Sequence, residues 1–436
     1  MNISSLFKKK IFREILTYSI GSFGSKVLSF LLFPFYTYFL SQNDLGEYDL
    51  LITLVTLFVP LVSLQISDAT YRWLIGEEYV TESDKQKVIA NAIFILVIGA
   101  VIFSACFVVY TFFKSFNYQI YFLLLIFLNS LLPLLQSILR GLGKTKYFAA
   151  NGVITTFLVV IFNVIFVYYL KLNIKGVFLA YIIAYTISCA MIVYHFKLFQ
   201  YLKIRYWNFN LVKSMVGYCL PLIPNLMSWW VISSASKFII LHYEGIEANG
   251  LYAVATRFSS LLLVVNSVLL LPLQDSVLKE KKDTVFYKML NKFIVFEIIL
   301  VFGLALFSPL MTKILVAEEY FITWQYIPFL YLGVGFNAIA GFLGLKYQKK
   351  KTTLKITSTS FVGAIVSIVF SFILVQSMGL QGISISFMLG FLSVLLLRYI
   401  DITKRPLNNA CFYLILAAPI ACYLSVLLMN NVVHVL

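Results

Sequence analysis

Residues 88–113 read VIANAIFILVIGAVIFSACFVVYTFF, and residues 119–139 read QIYFLLLIFLNSLLPLLQSIL. Neither stretch contains Asp, Glu, Lys or Arg, and apolar side chains occupy every face of the helix each would form. About 20 mostly apolar residues cross the roughly 30 Å hydrocarbon layer of a bilayer as a helix. Strands of a membrane barrel instead alternate apolar and polar residues over short segments. Both stretches therefore read as transmembrane helices, the form in which a lipid-exposed backbone satisfies its own hydrogen bonds.

The rest of the chain repeats this pattern. Of its 436 residues 61% are hydrophobic and 12% charged, with a mean hydropathy of +0.92, whereas a soluble domain carries about 25% charged residues. Helices are expected near 17–39, 48–70, 88–113, 119–139, 147–170, 174–196, 214–241, 250–273, 291–313, 323–344, 355–376, 380–399 and 409–429. Lys8, Lys9, Lys10 and Arg13 precede the first span, and no small-residue cleavage site follows it, so it reads as a retained helix. The five cysteines fall inside apolar segments without paired spacing, as small core residues do, and neither a metal site nor a cofactor is expected.

A formal net charge of +16 raises the question of nucleic acid, which the placement of the charge answers. With the N-terminus cytoplasmic, cytoplasmic loops and adjoining helix ends hold 27 Lys and Arg against 4 on the external side. This is the positive-inside asymmetry of a multi-pass protein, and it calls for no nucleic-acid partner. External loops such as 40–47, 114–118 and 171–173 are too short for a catalytic domain, so a transporter is expected rather than an enzyme. Gly141-Leu142-Gly143-Lys144-Thr145 ends like a phosphate-binding loop, but Ile138 stands where that loop needs its first glycine.

Landmarks recur along the chain. Leu45-Gly46-Glu47-Tyr48 matches Asn249-Gly250-Leu251-Tyr252 at an offset of 204 residues. Lys144-Thr145-Lys146 matches Lys350-Lys351-Thr352, and Ile174-Lys175-Gly176-Val177 matches Leu380-Gln381-Gly382-Ile383, both at 206. The expected fold class is an all-α polytopic membrane protein. Two six-helix bundles, residues 1–205 and 206–405, are related by a pseudo-two-fold along the membrane normal, and residues 406–436 add one further transmembrane segment. Repeats of this kind occur in secondary transporters, with the binding site where the repeats meet.

Ionisable residues at membrane depth cost about 2.5–3.5 kcal/mol on insertion scales and point to function. The cations are Lys26, Arg72, Lys237 and Arg257, a set suited to an anionic substrate. Arg72, at a span end, is equally consistent with snorkelling to the headgroups. Asp68 lies four residues before Arg72 on one helical face, where a structural ion pair accounts for both as well as substrate binding does. Glu297 has Phe293, Ile294, Leu300 and Val301 as its helical neighbours, so no cation on its own helix pairs with it. Asp68 and Glu297 are the candidates for ion coupling, and for Glu297 a structural contact with another helix is the competing reading. Pro221 and Pro224 make the seventh span the expected bent helix and candidate gate.

On Gly46-x-Tyr48, Pro221-Leu222-Ile223-Pro224, Gly250-x-Tyr252 and the basic Thr-containing loops 144–146 and 349–352, the chain resembles the Wzx-type polysaccharide and O-antigen flippases. These belong to the superfamily that also holds multidrug exporters and the lipid II flippase. The resemblance spans roughly residues 10–400. It implies passage of an undecaprenyl-diphosphate-linked oligosaccharide from the cytoplasmic to the outer leaflet, in a bacterial inner or plasma membrane, for O-antigen or capsule biosynthesis. It also implies membrane lipids and other polysaccharide-assembly proteins as partners. Members often carry an Asp-Arg pair late in the seventh helix, where this chain has Ser236-Lys237, so the cation remains without its neighbouring carboxylate. The alternatives are a drug or metabolite exporter of the same superfamily and, in a different class, a membrane glycan polymerase or ligase. The latter needs a substantial external loop.

Overall fold

The computed structural model describes residues 32–75, 81–201, 203–279, 282–349, 352, 354–403 and 410–433, and among these the protein is all helix and turn. Residues 32–39 form the end of the first span. There follow α1 (Gln42–Ser63), α2 (Ile66–Ile75), α3 (Glu82–Phe113), α4 (Gln119–Gly141), α5 (Thr145–Asn163, prolonged by a π-helical turn Val164–Tyr169) and α6 (Asn173–His195). Next come α7 (Phe209–Cys219), α8 (Leu222–Trp230), a π-helical turn Val231–Ala235, α9 (Ser236–Tyr243) and α10 (Gly245–Lys279). The chain continues through α11 (Asp283–Leu306), α12 (Ser308–Leu315), a 3-10 segment Glu318–Gln325, α13 (Ile327–Lys349), α14 (Leu354–Thr403) and α15 (Ala410–Val433).

Among the described residues ten helices are long and apolar enough to cross a membrane. Their exposed side chains include many large apolar ones: Val101, Ile102 and Phe112 of α3, Ile299 of α11 and Leu428 of α15 are all more than half exposed. Such faces belong against lipid. The expected span 17–39 lies largely outside the described residues, and 355–376 and 380–399 both fall within α14. Gly379 interrupts that helix in the left-handed region, at φ 53°.

Three expected spans are broken. The span 48–70 begins earlier, at Gln42, and divides after Ser63, because Leu64 and Gln65 are both left-handed (φ 48° and 52°). Conformations that L-residues disfavour are held there by side chains: Ser63 Oγ accepts from the Gln65 amide at 3.2 Å, and Cys219 Sγ donates to the Gln65 carbonyl at 3.3 Å. The span 214–241 is cut at Leu220–Pro221, where proline has no amide to continue the ladder. The span 291–313 breaks after Leu306, and Pro309 stands in the first turn of α12, where a missing amide costs nothing.

The chain divides into two compact units. The described part of unit 1 is Leu32 with the described residues of Leu51–Met227, and that of unit 2 comes from Phe33–Leu50 with Ser228–Leu436. In unit 1, Ile66, Leu96, Leu128, Leu135, Leu139 and Met215 form a core between α2, α3, α4 and α7. Buried Asn91 ties α3 to the approach to α7: its amide donates to the carbonyls of Lys87 and Tyr206, each at 2.7 Å, and its Oδ1 accepts from the Asn208 amide. In unit 2, α13 is the central helix, almost wholly buried against α10, α11, α14 and α15.

Two of the three matched landmark pairs can be followed in the structure; in the third, Lys350 and Lys351 lie outside the described residues. Within unit 2 the start of α1 packs on the start of α10 through glycine: a Cβ on Gly46 would meet the Ile246 carbonyl, and a Cβ on Gly250 would meet the Gln42 carbonyl. The contact is reciprocal at the offset of 204 that aligns the two sequences, and Asn249 Nδ2 donates to the Gly46 carbonyl at 3.2 Å. At the other match, Gly176 and Gly382 each sit against a carbonyl of the preceding helical stretch, those of Phe166 and Leu374. The residues three positions earlier, Asn173 and Gly379, are both left-handed. Replacing Gly46 or Gly250 by Val forces backbone from backbone, an overpacking change that costs about 1–3 kcal/mol or more. Thermal unfolding in detergent should show a clear drop for both variants, and none for Gly217→Ala, where a Cβ meets open space.

Candidate functional site

One turn beyond Gly46, α1 presents Asp49, and the first turn of α9 presents Lys237, whose Nζ lies 2.6 Å from Asp49 Oδ2. The π-helical turn just before α9 widens the helix immediately ahead of this lysine. Both side chains are at most a tenth exposed, so the charges are taken out of solvent together. Fully buried Tyr252, two residues after Gly250, shares this neighbourhood with Ser236 and Asp49. The carboxylate missing beside Lys237 in sequence is thus supplied by another helix of the same unit.

The pair is one-sided with respect to the 204-residue offset. The positions related by 204 residues are Phe33 for Lys237 and Ala253 for Asp49, and both are buried and apolar. Half-buried Arg257, on α10, has its guanidinium 6.0 Å from the centre of the Phe33 ring.

A second ionisable group lies deeper in unit 2. Glu297 is fully buried on the face of α11 formed by Phe293, Ile294 and Val301, and Asn266 Nδ2 of α10 donates to its Oε2 at 3.3 Å. Glu297 Oε1 and Asn266 Oδ1 are buried without a hydrogen-bond partner.

In unit 1, Arg72 is exposed on α2 with its guanidinium 4.5 Å from the centre of the Tyr218 ring and 6.0 Å from that of Trp73. Asp68 is also exposed and accepts from Gln65 Nε2 at 3.3 Å, and no ion pair joins it to Arg72. The helical spacing permits that pair, but the cation stacks on aromatic faces instead. Pro221 lies in the turn before α8 and Pro224 in its first turn. Lys26 lies outside the described residues.

Three residues emerge that the sequence did not single out. Asp49 escapes notice because it stands at the edge of its expected span. Asn266 carries no charge to mark it. Arg398, at a span end, looks cytoplasmic, yet it is 3% exposed and needs no carboxylate. Its Nε donates to Thr359 Oγ1, Nη1 to the Ala340 carbonyl, and Nη2 to the Ile356 carbonyl and Ser360 Oγ, all at 2.9–3.1 Å. It joins α13 to both ends of α14.

Many long apolar helices, with an ion pair and isolated ionisable groups held between them, define a polytopic membrane protein. The comparisons with known proteins agree. Residues 11–278 match the family model described as polysaccharide biosynthesis protein, and the chain belongs to that family. It is 24% identical over 302 residues to protein 1 of the Lsg locus of Haemophilus influenzae, covering 67% of this chain and 72% of that protein. Its fold is that of the MATE transporters: the inward-facing structure of a multidrug resistance MATE family transporter of the MOP superfamily superposes with a TM-score of 0.72 at 16% identity, over 87% of this chain and 94% of that one. A MOP superfamily transporter from Pyrococcus furiosus superposes with a TM-score of 0.59 at 14% identity, over 94% and 96% of the two chains. The protein is thus a multi-pass membrane protein of the polysaccharide biosynthesis protein family with a MATE-like fold.

Removing one partner of a buried ion pair strands the other and costs about 3–5 kcal/mol, whereas replacing both by apolar residues of similar volume is often neutral. Asp49→Leu and Lys237→Met should each destabilise by about that amount, and the double variant should recover most of the loss. A double-mutant cycle on denaturant unfolding in detergent measures this directly.

Proposed function

We propose that this protein is a flippase that carries an undecaprenyl-diphosphate-linked oligosaccharide from the cytoplasmic to the outer leaflet of a bacterial inner membrane, for O-antigen or capsule assembly. The observation that carries the reading is the family match over residues 11–278 on a chain with the fold of exporters. A substrate made of a polar glycan and a lipid tail needs a polar path through the bilayer, and an alternating-access transporter supplies one without exposing the path to both sides at once.

Several finer features belong to the same reading. The N-terminus is cytoplasmic, supported by the 27 to 4 distribution of Lys and Arg. The chain has thirteen spans, twelve of them in two six-helix repeats over 1–205 and 206–405, supported by the reciprocal Gly46–Gly250 contact at the repeat offset. Lys26, Arg72 and Arg257 serve the diphosphate as cations. Lys237 does so only when it leaves Asp49, since in this structure its charge is already balanced. Pro221 and Pro224 mark where the seventh span bends during transport, and Asp68 and Glu297 are the groups through which an ion is coupled.

The experiment is reconstitution of the purified chain in vesicles with a fluorescent undecaprenyl-diphosphate oligosaccharide, scored by a membrane-impermeant quencher. Label should become protected from the quencher, or exposed to it, only in vesicles containing the protein. Lys26→Ala, Arg72→Ala and Arg257→Ala should each slow the exchange about tenfold or more, the loss of one charge-assisted contact of roughly 1.5–3 kcal/mol. Unchanged rates in all three would remove the cations from the mechanism. Efflux of organic cations without movement of the lipid would favour the exporter.

A further inference from the structure

Three helices of unit 2 close over Glu297. It stands on the buried face of α11 between Phe293, Ile294 and Val301. From α10 comes Asn266, itself 3% exposed. From α13 comes Gly335, where a Cβ would stand 2.8 Å from Val301 Cγ2 and 3.8 Å from Glu297 Oε2.

Charge is scarce on every element packed here. Between Ile327 and Leu345, α13 has no charged residue, and its titratable side chain near Gly335 is Tyr331, one turn away. The nearest charged residues to Asn266 along α10 are Arg257 and Asp275, each nine positions away. Lys292, five positions before Glu297 on α11, is exposed. Also packed on α11, α15 has no Asp, Glu, Lys or Arg, and its titratable groups are Cys411, Tyr413, Cys422 and Tyr423. Among the described residues no cation forms an ion pair with Glu297.

The hydrogen-bond pattern is incomplete in a specific way. Asn266 Nδ2 donates to Glu297 Oε2, which leaves Glu297 Oε1 and Asn266 Oδ1 as two buried atoms that only accept. An ionised carboxylate without a counter-charge is costly in such a place, and the group neutralises instead. One proton on Oε1 answers both orphaned atoms: the new O–H donates to Asn266 Oδ1 while Nδ2 still donates to Oε2, giving an acid–amide pair with two reciprocal hydrogen bonds. A hard metal cation takes about six to eight oxygen ligands, and these two oxygens among Phe293, Ile294 and Val301 do not provide them.

We propose that Glu297 and Asn266 form a proton-binding site inside unit 2. Glu297 is a neutral acid while α10, α11 and α13 are packed together. It gives up its proton to water, with cleavage of the Oε1–H bond, when that packing opens. The site narrows the ion-coupling part of the proposed function to a proton at Glu297, but its detection requires no cargo.

Infrared spectra of the full-length protein in detergent, at about neutral pH, test it. The wild type should show a protonated-carboxyl carbonyl band that is absent from Glu297→Gln. That variant should melt with the wild type, because a glutamine amide reproduces both hydrogen bonds. In Asn266→Leu the band should persist but move to the frequency of a carbonyl freed of its partner, which identifies the group even if Glu297→Gln does not fold. The proposal is overturned if Glu297→Gln removes only carboxylate bands, if Asn266→Leu leaves the carbonyl band unmoved, or if sodium at constant ionic strength stabilises the wild type and not Glu297→Gln. Failure of lipid transport with these spectra intact would count against the cargo and leave the site standing.

Discussion

Unit 2 is organised by a place where two helix backbones touch. At Gly46 and Gly250 each helix lays a carbonyl where the other would carry a side chain, so the contact exists only because both positions are glycine. Its consequences run outward along α1. Tyr48 and Asp49 follow within a turn and enter the interior, and Leu45 is buried on the same side. Before the helix, residues 37–42 are pinned to the segment 316–320. The Ala317 amide donates to Thr37 Oγ1, the Tyr320 hydroxyl to the Leu40 carbonyl, and Gln42 Nε2 to the Glu319 carbonyl. A stretch from early in the chain is thereby built into the packing of residues from its second half.

The unit also displays different ways of keeping charge inside a bilayer protein. Lys237 and Asp49 neutralise one another at 2.6 Å. Among the described residues Arg398 forms no ion pair and instead spreads its donors over two main-chain carbonyls and two hydroxyls, which the guanidinium fork can reach from a single position. The first solution depends on both partners and the second on the packing of three helical segments. A substitution in α13 or α14 that shifts the Ala340 or Ile356 carbonyl would disturb Arg398 without touching it.

The helical, membrane-spanning character and the rough positions of the described spans were legible in the sequence because hydrocarbon thickness sets a length and composition that leave a strong imprint. Among the breaks, the one at Pro221 was legible because of its proline pair; proline alone does not mark a break, since Pro60, Pro133 and Pro419 lie inside unbroken helices. The division after Ser63 rests on two left-handed residues, Leu64 and Gln65, of types that do not advertise that conformation; contacts from Cys219 and Ser63 hold them. The site divides the same way. Glu297 stands out in sequence because no partner is within helical reach. Asn266, which completes its surroundings, does not, since nothing local says which neutral amide a helix crossing will bring near a carboxylate. Lys237 was visible as a cation, but its meaning depended on Asp49, and a sequence does not list contacts between distant helices.

The ion pair also sets a direction on a contact that is otherwise reciprocal. Glycines meet on equal terms, but Lys237 and Asp49 have Phe33 and Ala253 as their counterparts at the repeat offset. Two copies of the early stretch brought together would bury two aspartates without a base, and two copies of the later stretch would bury two lysines without an acid. Only the mixed pairing is neutral. The charges thus favour the pairing of each stretch with the other over its pairing with a copy of itself.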